Sequence, residues 1–325
     1  MAGMGRALYP EPGGLRDDVH FMELTVFSGT ANGPLGASLA QALGRRLGRV
    51  HLERFPDGEQ YVEIQEDVRG RNVCLIQPTV PPVGESLLEL LLMADACWRA
   101  GAARLMAVVP YFGYARQDRR THPGEALGGK LVVDLLERGR FERVVTVHLH
   151  TPSLEGCFGM PLEHLDAAHL LAEAARPHAG PGAVVVSPDL GAVKLAERYA
   201  RQLGLPLAIV HKARTSGSEV SVRGLVGEVH GLRPIIVDDM ISTAGTIAAT
   251  AETVLKAGCA DDITVVTTHA LLVGPAVERL SQVPIRRLIS TDSVPLARAL
   301  PFDHQVVGLA PLLADAICRV TSDRR

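Results

Sequence analysis

The stretch "VDDMISTAGT" at residues 237–246 sets two carboxylates side by side and follows them with small and hydroxylated residues. Adjacent carboxylates repel, so Asp238 and Asp239 suit a bound group that gains from both. Vicinal hydroxyls, which donate to carboxylates, and a magnesium ion both qualify. Ser242, Thr243 and Thr246 offer hydroxyl donors, while Ala244 and Gly245 let a ligand come close to the backbone. A helix is expected from Thr246, so the loop would present unpaired N–H groups and a positive dipole end to a phosphate. Ser242 or Thr243 could equally be ordinary helix caps, and both readings stand at this level. The sequence GxxxxGK[ST] is absent, which excludes a P-loop. A sugar phosphate satisfies the acid pair and the loop together.

Such residues need elements to hold them. From residue 22 onward, short apolar runs alternate with helical patterns. Strands are predicted at 24–27, 73–76, 105–109, 144–147, 184–186, 207–210, 235–237, 263–266 and 287–289. Several are apolar throughout, as parallel strands buried on both faces must be. Helices are predicted over 86–99 and 246–257, the second with Ile247, Ala251, Val254 and Leu255 on one face and Gly258 as its stop. The alternation indicates an α/β fold in two tandem units, each a mainly parallel sheet flanked by helices. Residues 1–21 read as a loose tail, 22–164 as the first unit, 165–307 as the second, and 308–325 as a terminal helix packing back on the first.

Composition narrows the classes. The 325 residues are 47% hydrophobic and 21% charged, an ordinary globular balance. A net charge of -3 lacks the basic excess of a nucleic-acid-binding surface. Five scattered cysteines without CxxC spacing fit a reducing compartment rather than a disulfide framework or zinc ribbon. No apolar run reaches the roughly 18 residues of a membrane span, and the first twenty residues lack the apolar core of a signal peptide. A cytoplasmic location is expected.

Further motifs lie along the chain in a fixed order: "FSGTAN" (27–32), "RFPDGEQYVEI" (54–64), "PYFGYARQDR" (110–119) and "VSPDLGAVK" (186–194), then "VDDMISTAGT". The last resembles the phosphoribosyl diphosphate loop of the phosphoribosyltransferase fold, a motif shared by enzymes that consume that compound and the one that makes it. Taken together, the ordered set resembles the ribose-phosphate diphosphokinases over residues 22–320. The resemblance implies two phosphoribosyltransferase-like domains, the first on the ATP side with subunit contacts and the second holding ribose 5-phosphate. It implies transfer of the diphosphoryl group of ATP to O1 of ribose 5-phosphate, giving phosphoribosyl diphosphate and AMP.

Residue roles follow from the same resemblance. Phe55, Asp57 and Glu59 would serve the ATP of a neighbouring subunit, the ring near adenine and the acids at its polar edge or ribose. Arg116 and Gln117 would contact ATP, and an Arg fork suits phosphate oxygens. His150 and Asp189 would hold Mg2+, with Mn2+ as the alternative, and Lys212 and Arg214 in "VHKARTS" (210–216) would be the catalytic pair on a loop. Asp238, Asp239, Ser242, Thr243, Ala244, Gly245 and Thr246 would bind ribose 5-phosphate. The partners implied are the two substrates and further copies of the chain, as a dimer-based oligomer up to a hexamer. Without the resemblance, "PDG" is an ordinary turn, His150 a structural strand-end residue and Lys212 an exposed loop cation.

The chain also departs from that family's pattern. His148 stands where an Asp is usual; on a strand it would share a face with His150, making it a further ligand candidate. Imidazole in place of a carboxylate favours Mn or Zn over Mg. Gly124, Ala213, Leu195 and Glu197 replace residues that are commonly basic, and Ser242 replaces a common Asp. The lost positive charge keeps two alternatives open: a non-catalytic relative that regulates an active partner, and a phosphoribosyltransferase, for which the ATP motifs would have no purpose.

Overall fold

The apolar runs become parallel strands covered on both faces, and the polar runs between them become loops, edges and antiparallel pairs. The computed structural model describes the backbone of residues 24–214, 220–296 and 298–322, and their side chains except at 212–214, 220–223 and 322. The chain begins with β1 (Leu24–Ser28), α1 (Gly33–Ala42), β2 (Val50–Arg54), β3 (Gln60–Ile64), β4 (Asn72–Ile76) and α2 (Val83–Arg99). It continues through β5 (Arg104–Val109), α3 (Gly128–Arg138), β6 (Arg143–Val147), β7 (Leu162–Leu165), α4 (Ala168–Ala175), β8 (Ala183–Ser187), α5 (Val193–Leu203), β9 (Leu207–Arg214) and β10 (Val220–Val226). Then come β11 (Arg233–Ile241), α6 (Gly245–Lys256), β12 (Ile263–Ala270), α7 (Ala276–Ser281), β13 (Ile285–Thr291), β14 (Asp303–Val307) and α8 (Ala310–Ser322).

Two mainly parallel sheets result. The first has the order β1-β4-β5-β6-β7, and every pairing is parallel. The second has the order β10-β9-β8-β11-β12-β13-β14, with only the β9–β10 pair antiparallel. Central β12 reads "ITVVTTHA", and all eight residues are buried, so β-branched side chains fill both faces. On α2, Leu87, Leu90, Met93, Ala94 and Cys97 are buried at spacings of three and four, the stripe that seats a helix on a sheet.

One apolar layer joins the sheets. Val26, Val145 and Val147 from the first meet Leu171 of α4, Tyr199 of α5 and Leu313 and Ile317 of α8, with Val185 and Val237 beyond. Helix α8 packs on α1 and against β6 and β7. No helix among the described residues is long and apolar enough to cross a membrane.

Several expectations need correction. Strand β11 does not stop at Val237: its ladder with β12 runs on through Asp238↔Thr267 and Met240↔His269, so the acid pair lies inside the strand. Lys212 and Arg214, expected on a loop, have backbones paired with β10 at Val222 and Val220. Their side chains, and residues 215–219, lie outside the described residues. Strand β6 ends at Val147, and His148 turns off it with φ 47°, so strand alternation cannot relate His148 to His150. The strands β2, β3, β7, β10 and β14 were not predicted; those with described burial are largely polar or half-exposed, without an apolar run to mark them.

Candidate active site

The carboxyl ends of β6, β8 and β11 open on one cleft of about 760 Å³, lined by Arg116, His148, His150, Asp189, Asp238, Asp239 and residues 242–246. Ligands in α/β sheets bind beyond these strand ends, because the turns to the following helices converge there. On one wall, Ser242, Thr243 and Ala244 link β11 to α6. Ala244 occupies the cap position at φ 59°, and no side chain caps the helix. That excludes the reading of Ser242 or Thr243 as ordinary helix caps.

The loop's carbonyls are all engaged from behind. Leu272 N–H donates to Ile241 O (3.1 Å), Val273 N–H to Ser242 O (3.0 Å) and Ala248 N–H to Ala244 O (2.9 Å). The Arg279 guanidinium donates to Thr243 O at 3.0 Å. Among the described residues, the N–H groups of Ser242, Thr243 and Ala244 have no backbone or side-chain acceptor. Free N–H groups at a helix N-terminus, with the carbonyls held away, suit a phosphate. A left-handed Ala costs about 1–2 kcal/mol, a strain this set of bonds sustains.

The acid pair beside the loop is electrostatically divided. Burial, with the Asp239 charge added, pushes the Asp238 carboxyl well above the usual range. Burial also raises Asp239, but the hydrogen bond and charge of His150 outweigh it and hold Asp239 below its ordinary value. His150 Nδ1 lies 2.6 Å from Asp239 Oδ2, and this bond raises the imidazole's pKa against the opposing effect of burial. Since a carboxylate only accepts, Nδ1 carries the proton and Nε2 is left for the cleft. A carboxylate on one ring nitrogen and an open second nitrogen is the usual arrangement of a metal-binding histidine.

Asp189 sits at the end of β8, where its Oδ1 accepts from Gly191 N–H (2.9 Å) and Ala192 N–H (3.1 Å). Its other oxygen has no protein donor among the described residues. No cluster of three or more His, Cys, Asp or Glu able to hold a metal occurs among the described residues. Two open donors, His150 Nε2 and an Asp189 oxygen, nevertheless fit a magnesium ion that keeps waters and phosphate oxygens as its remaining ligands.

The turn that carries His150 is tied across both sheets. His148 N–H donates to Leu165 O (2.9 Å), and Leu149 N–H donates to His164 Nε2 (2.8 Å). Glu155, at 2.5 Å from His164 Nδ1, sets that tautomer. From the second sheet, Thr268 Oγ1 meets His148 Nδ1 at 2.7 Å, and His269 Nε2–H donates to His148 O at 3.1 Å.

Not every predicted residue reaches this cleft. Arg116 does, but the exposed Gln117 side chain folds against Gly128 at the start of α3. Phe55, Asp57 and Glu59 form the exposed tip of the β2–β3 hairpin, away from this cleft. There Glu59 N–H donates to Asp57 Oδ1 (3.1 Å), and the Phe55 and Tyr61 rings lie 5.9 Å apart. Sequence reasoning missed Lys194, His164, Asp166 and Arg198, which also line the cleft, with Asp166 and Arg198 paired. Lys194 ended a motif already singled out; the other three carried no local signal.

Comparison with known proteins bears on the whole chain. Residues 24–139 match the family model described as the N-terminal domain of ribose phosphate pyrophosphokinase, and 161–295 match the phosphoribosyl transferase domain. The ribose-phosphate pyrophosphokinase of Rhodopirellula baltica is 45% identical over 93% of this chain and 96% of its own length. That of Caldanaerobacter subterraneus is 42% identical over 91% of this chain and 94% of its own. The crystal structure of phosphoribosylpyrophosphate synthetase from Mycobacterium smegmatis superposes with a TM-score of 0.86 at 36% identity, covering 93% of this chain and 99% of that one. With two tandem phosphoribosyltransferase-like sheets and an acid pair beside a loop of free N–H groups, the chain belongs to the ribose-phosphate pyrophosphokinase family.

Proposed function

We infer that the cleft transfers the diphosphoryl group of ATP to O1 of ribose 5-phosphate, releasing AMP and phosphoribosyl diphosphate. The observation that carries this reading is the set of open N–H groups at Ser242, Thr243 and Ala244 beside Asp238 and Asp239. The loop holds the 5-phosphate, with the hydroxyls of Ser242, Thr243 and Thr246 adding donors and Gly245 leaving space. Asp238 and Asp239 orient the ribose hydroxyls, so that O1 attacks the β-phosphorus in line and AMP leaves. Arg116 neutralises ATP phosphates, and Gln117 joins it once its side chain leaves the start of α3.

In such phosphoryl transfer the protein positions groups and neutralises charge rather than forming bonds of its own. Lys212 and Arg214 balance the charge that builds on the transferred group and the bridging oxygen. His150 and Asp189 hold a divalent cation, Mg2+ before Mn2+, which when bound supplies charge neutralisation at the phosphates. Phe55, Asp57 and Glu59, exposed and outside the lining of their own cleft, complete the ATP site of a neighbouring copy in a dimer-based oligomer. Residues 22–164 and 165–307 act as the two units, with α8 of the 308–325 segment packed on the first, and the protein works in the cytoplasm.

Purified protein mixed with ATP, ribose 5-phosphate and MgCl2 tests this reading by chromatography of nucleotides and sugar phosphates. AMP and phosphoribosyl diphosphate in equal amounts are expected. Absence of both, with the ligands still bound by calorimetry, would replace the enzyme by a regulatory relative.

A further inference from the structure

His148 lines the cleft beside His150, yet its ring is committed differently. Its Nδ1 lies 2.7 Å from Thr268 Oγ1. Thr268 is buried, at 1% exposure, and its hydroxyl has no other hydrogen-bond partner among the described residues. A buried hydroxyl proton left without an acceptor is costly, so Thr268 donates and His148 Nδ1 accepts. The neutral imidazole then carries its proton on Nε2, and so does the imidazolium; only the tautomer that the Thr268 contact opposes would expose a lone pair there.

Among the described residues no acceptor lies within hydrogen-bond distance of that Nε2–H. The acids nearest in charge, Asp239 and Asp166, already have partners in the His150 Nδ1–H and the Arg198 guanidinium. His269 fixes the backbone beneath the ring: its Nε2–H donates to His148 O, and its Nδ1 accepts from the Ser293 hydroxyl at 2.9 Å. The backbone under the ring is thus fixed, and the ring lines a cleft in which Arg116, Lys194 and the 242–246 loop stand beside Asp189, Asp238 and Asp239.

We propose that His148 is a substrate-binding residue that donates Nε2–H to a phosphate oxygen in the cleft, and is not a metal ligand. The proposal corrects the expectation that His148 shifts the metal preference towards Mn or Zn. It rests on the synthetase reading, because that reaction brings two phosphate-bearing substrates to the cleft.

Three measurements on the intact protein test it. Long-range nitrogen-15 spectra, with the His148 signal assigned by its loss in His148→Gln, should show the Nε2-protonated tautomer. The Nδ1-protonated pattern overturns the proposal without reference to turnover. In steady-state kinetics, His148→Leu should raise one substrate's KM about tenfold, the size of one hydrogen bond to a charged group, while His148→Gln recovers most of the loss. A rise for ribose 5-phosphate identifies the 5-phosphate, and a rise for ATP identifies the polyphosphate; unchanged values for both overturn the proposal.

The ratio of Mg- to Mn-supported rates should be the same in wild type and His148→Leu, whereas a changed ratio would restore the ligand reading. If His148→Leu fails to fold, Thr268→Val serves in its place: it releases Nδ1, should lower the Nε2-protonated population, and should raise the same KM. Wild-type protein that makes no AMP would sink the synthetase reading, while the spectra still decide the tautomer.

Discussion

Acidification will destabilise this protein in part through His269. The ring is 1% exposed, and burial, with the nearby charge of His148 in second place, pushes its pKa from 6.5 down to about 4. As pH falls, the unfolded chain therefore takes up the proton before the folded one does. A His with a depressed folded pKa contributes stability that is fully present above about pH 6.5 and lost through the window down to about 4. A shift of that size corresponds to about 3 kcal/mol at the bottom of the window, and to about 2 kcal/mol at pH 5.

Gln in place of His269 removes the titrating group and can still donate to His148 O. Its loss of the Ser293 bond lowers stability by a pH-independent amount. Urea unfolding followed by circular dichroism between pH 7.5 and 5.0 should show the wild-type advantage over His269→Gln shrinking by about 2 kcal/mol. Because the variant shares every other titrating group, the difference reports His269 together with its coupling to His148. Parallel stability curves for the two proteins would refute a His269 held neutral by burial.

Other expectations follow from the same geometry. Arg279 lies behind the phosphate loop and bonds Thr243 O, so Arg279→Met should raise the KM for ribose 5-phosphate about fivefold, one modest hydrogen bond, and leave kcat within twofold. Initial rates against substrate concentration would show this, and a fall in kcat alone would contradict it. Lys212→Ala should lower kcat by about 10², the effect of one stabilising cation; near-normal turnover would remove Lys212 from the mechanism. Leu90→Ala in α2, where the side chain is fully buried, should cost about 2–5 kcal/mol in chemical unfolding while turnover per folded molecule stays unchanged.

Much of the site was legible locally because its chemistry is local. An acid pair, small residues and hydroxyls next to one another in "VDDMISTAGT" act together through a single strand-loop-helix turn, whatever the rest of the chain does. The buried strands were legible for a similar reason: apolar, β-branched runs such as "ITVV" mark themselves. Half-polar strands such as β7 and β14 did not, because they exist through pairing with a neighbour rather than through their own pattern.

The sequence by itself determined the fold class and marked the acid pair and hydroxyl loop that the structure places along one cleft. Only the tertiary structure decided which partners His148 and His150 each meet. Both are histidines two positions apart, and strand geometry alone would have made them equivalent. One finds Asp239, an acceptor, and so keeps Nε2 open; the other finds Thr268, whose buried hydroxyl must donate. Those partners lie 89 and 120 residues away along the chain, so the tautomer of each ring is a property of how two sheets meet.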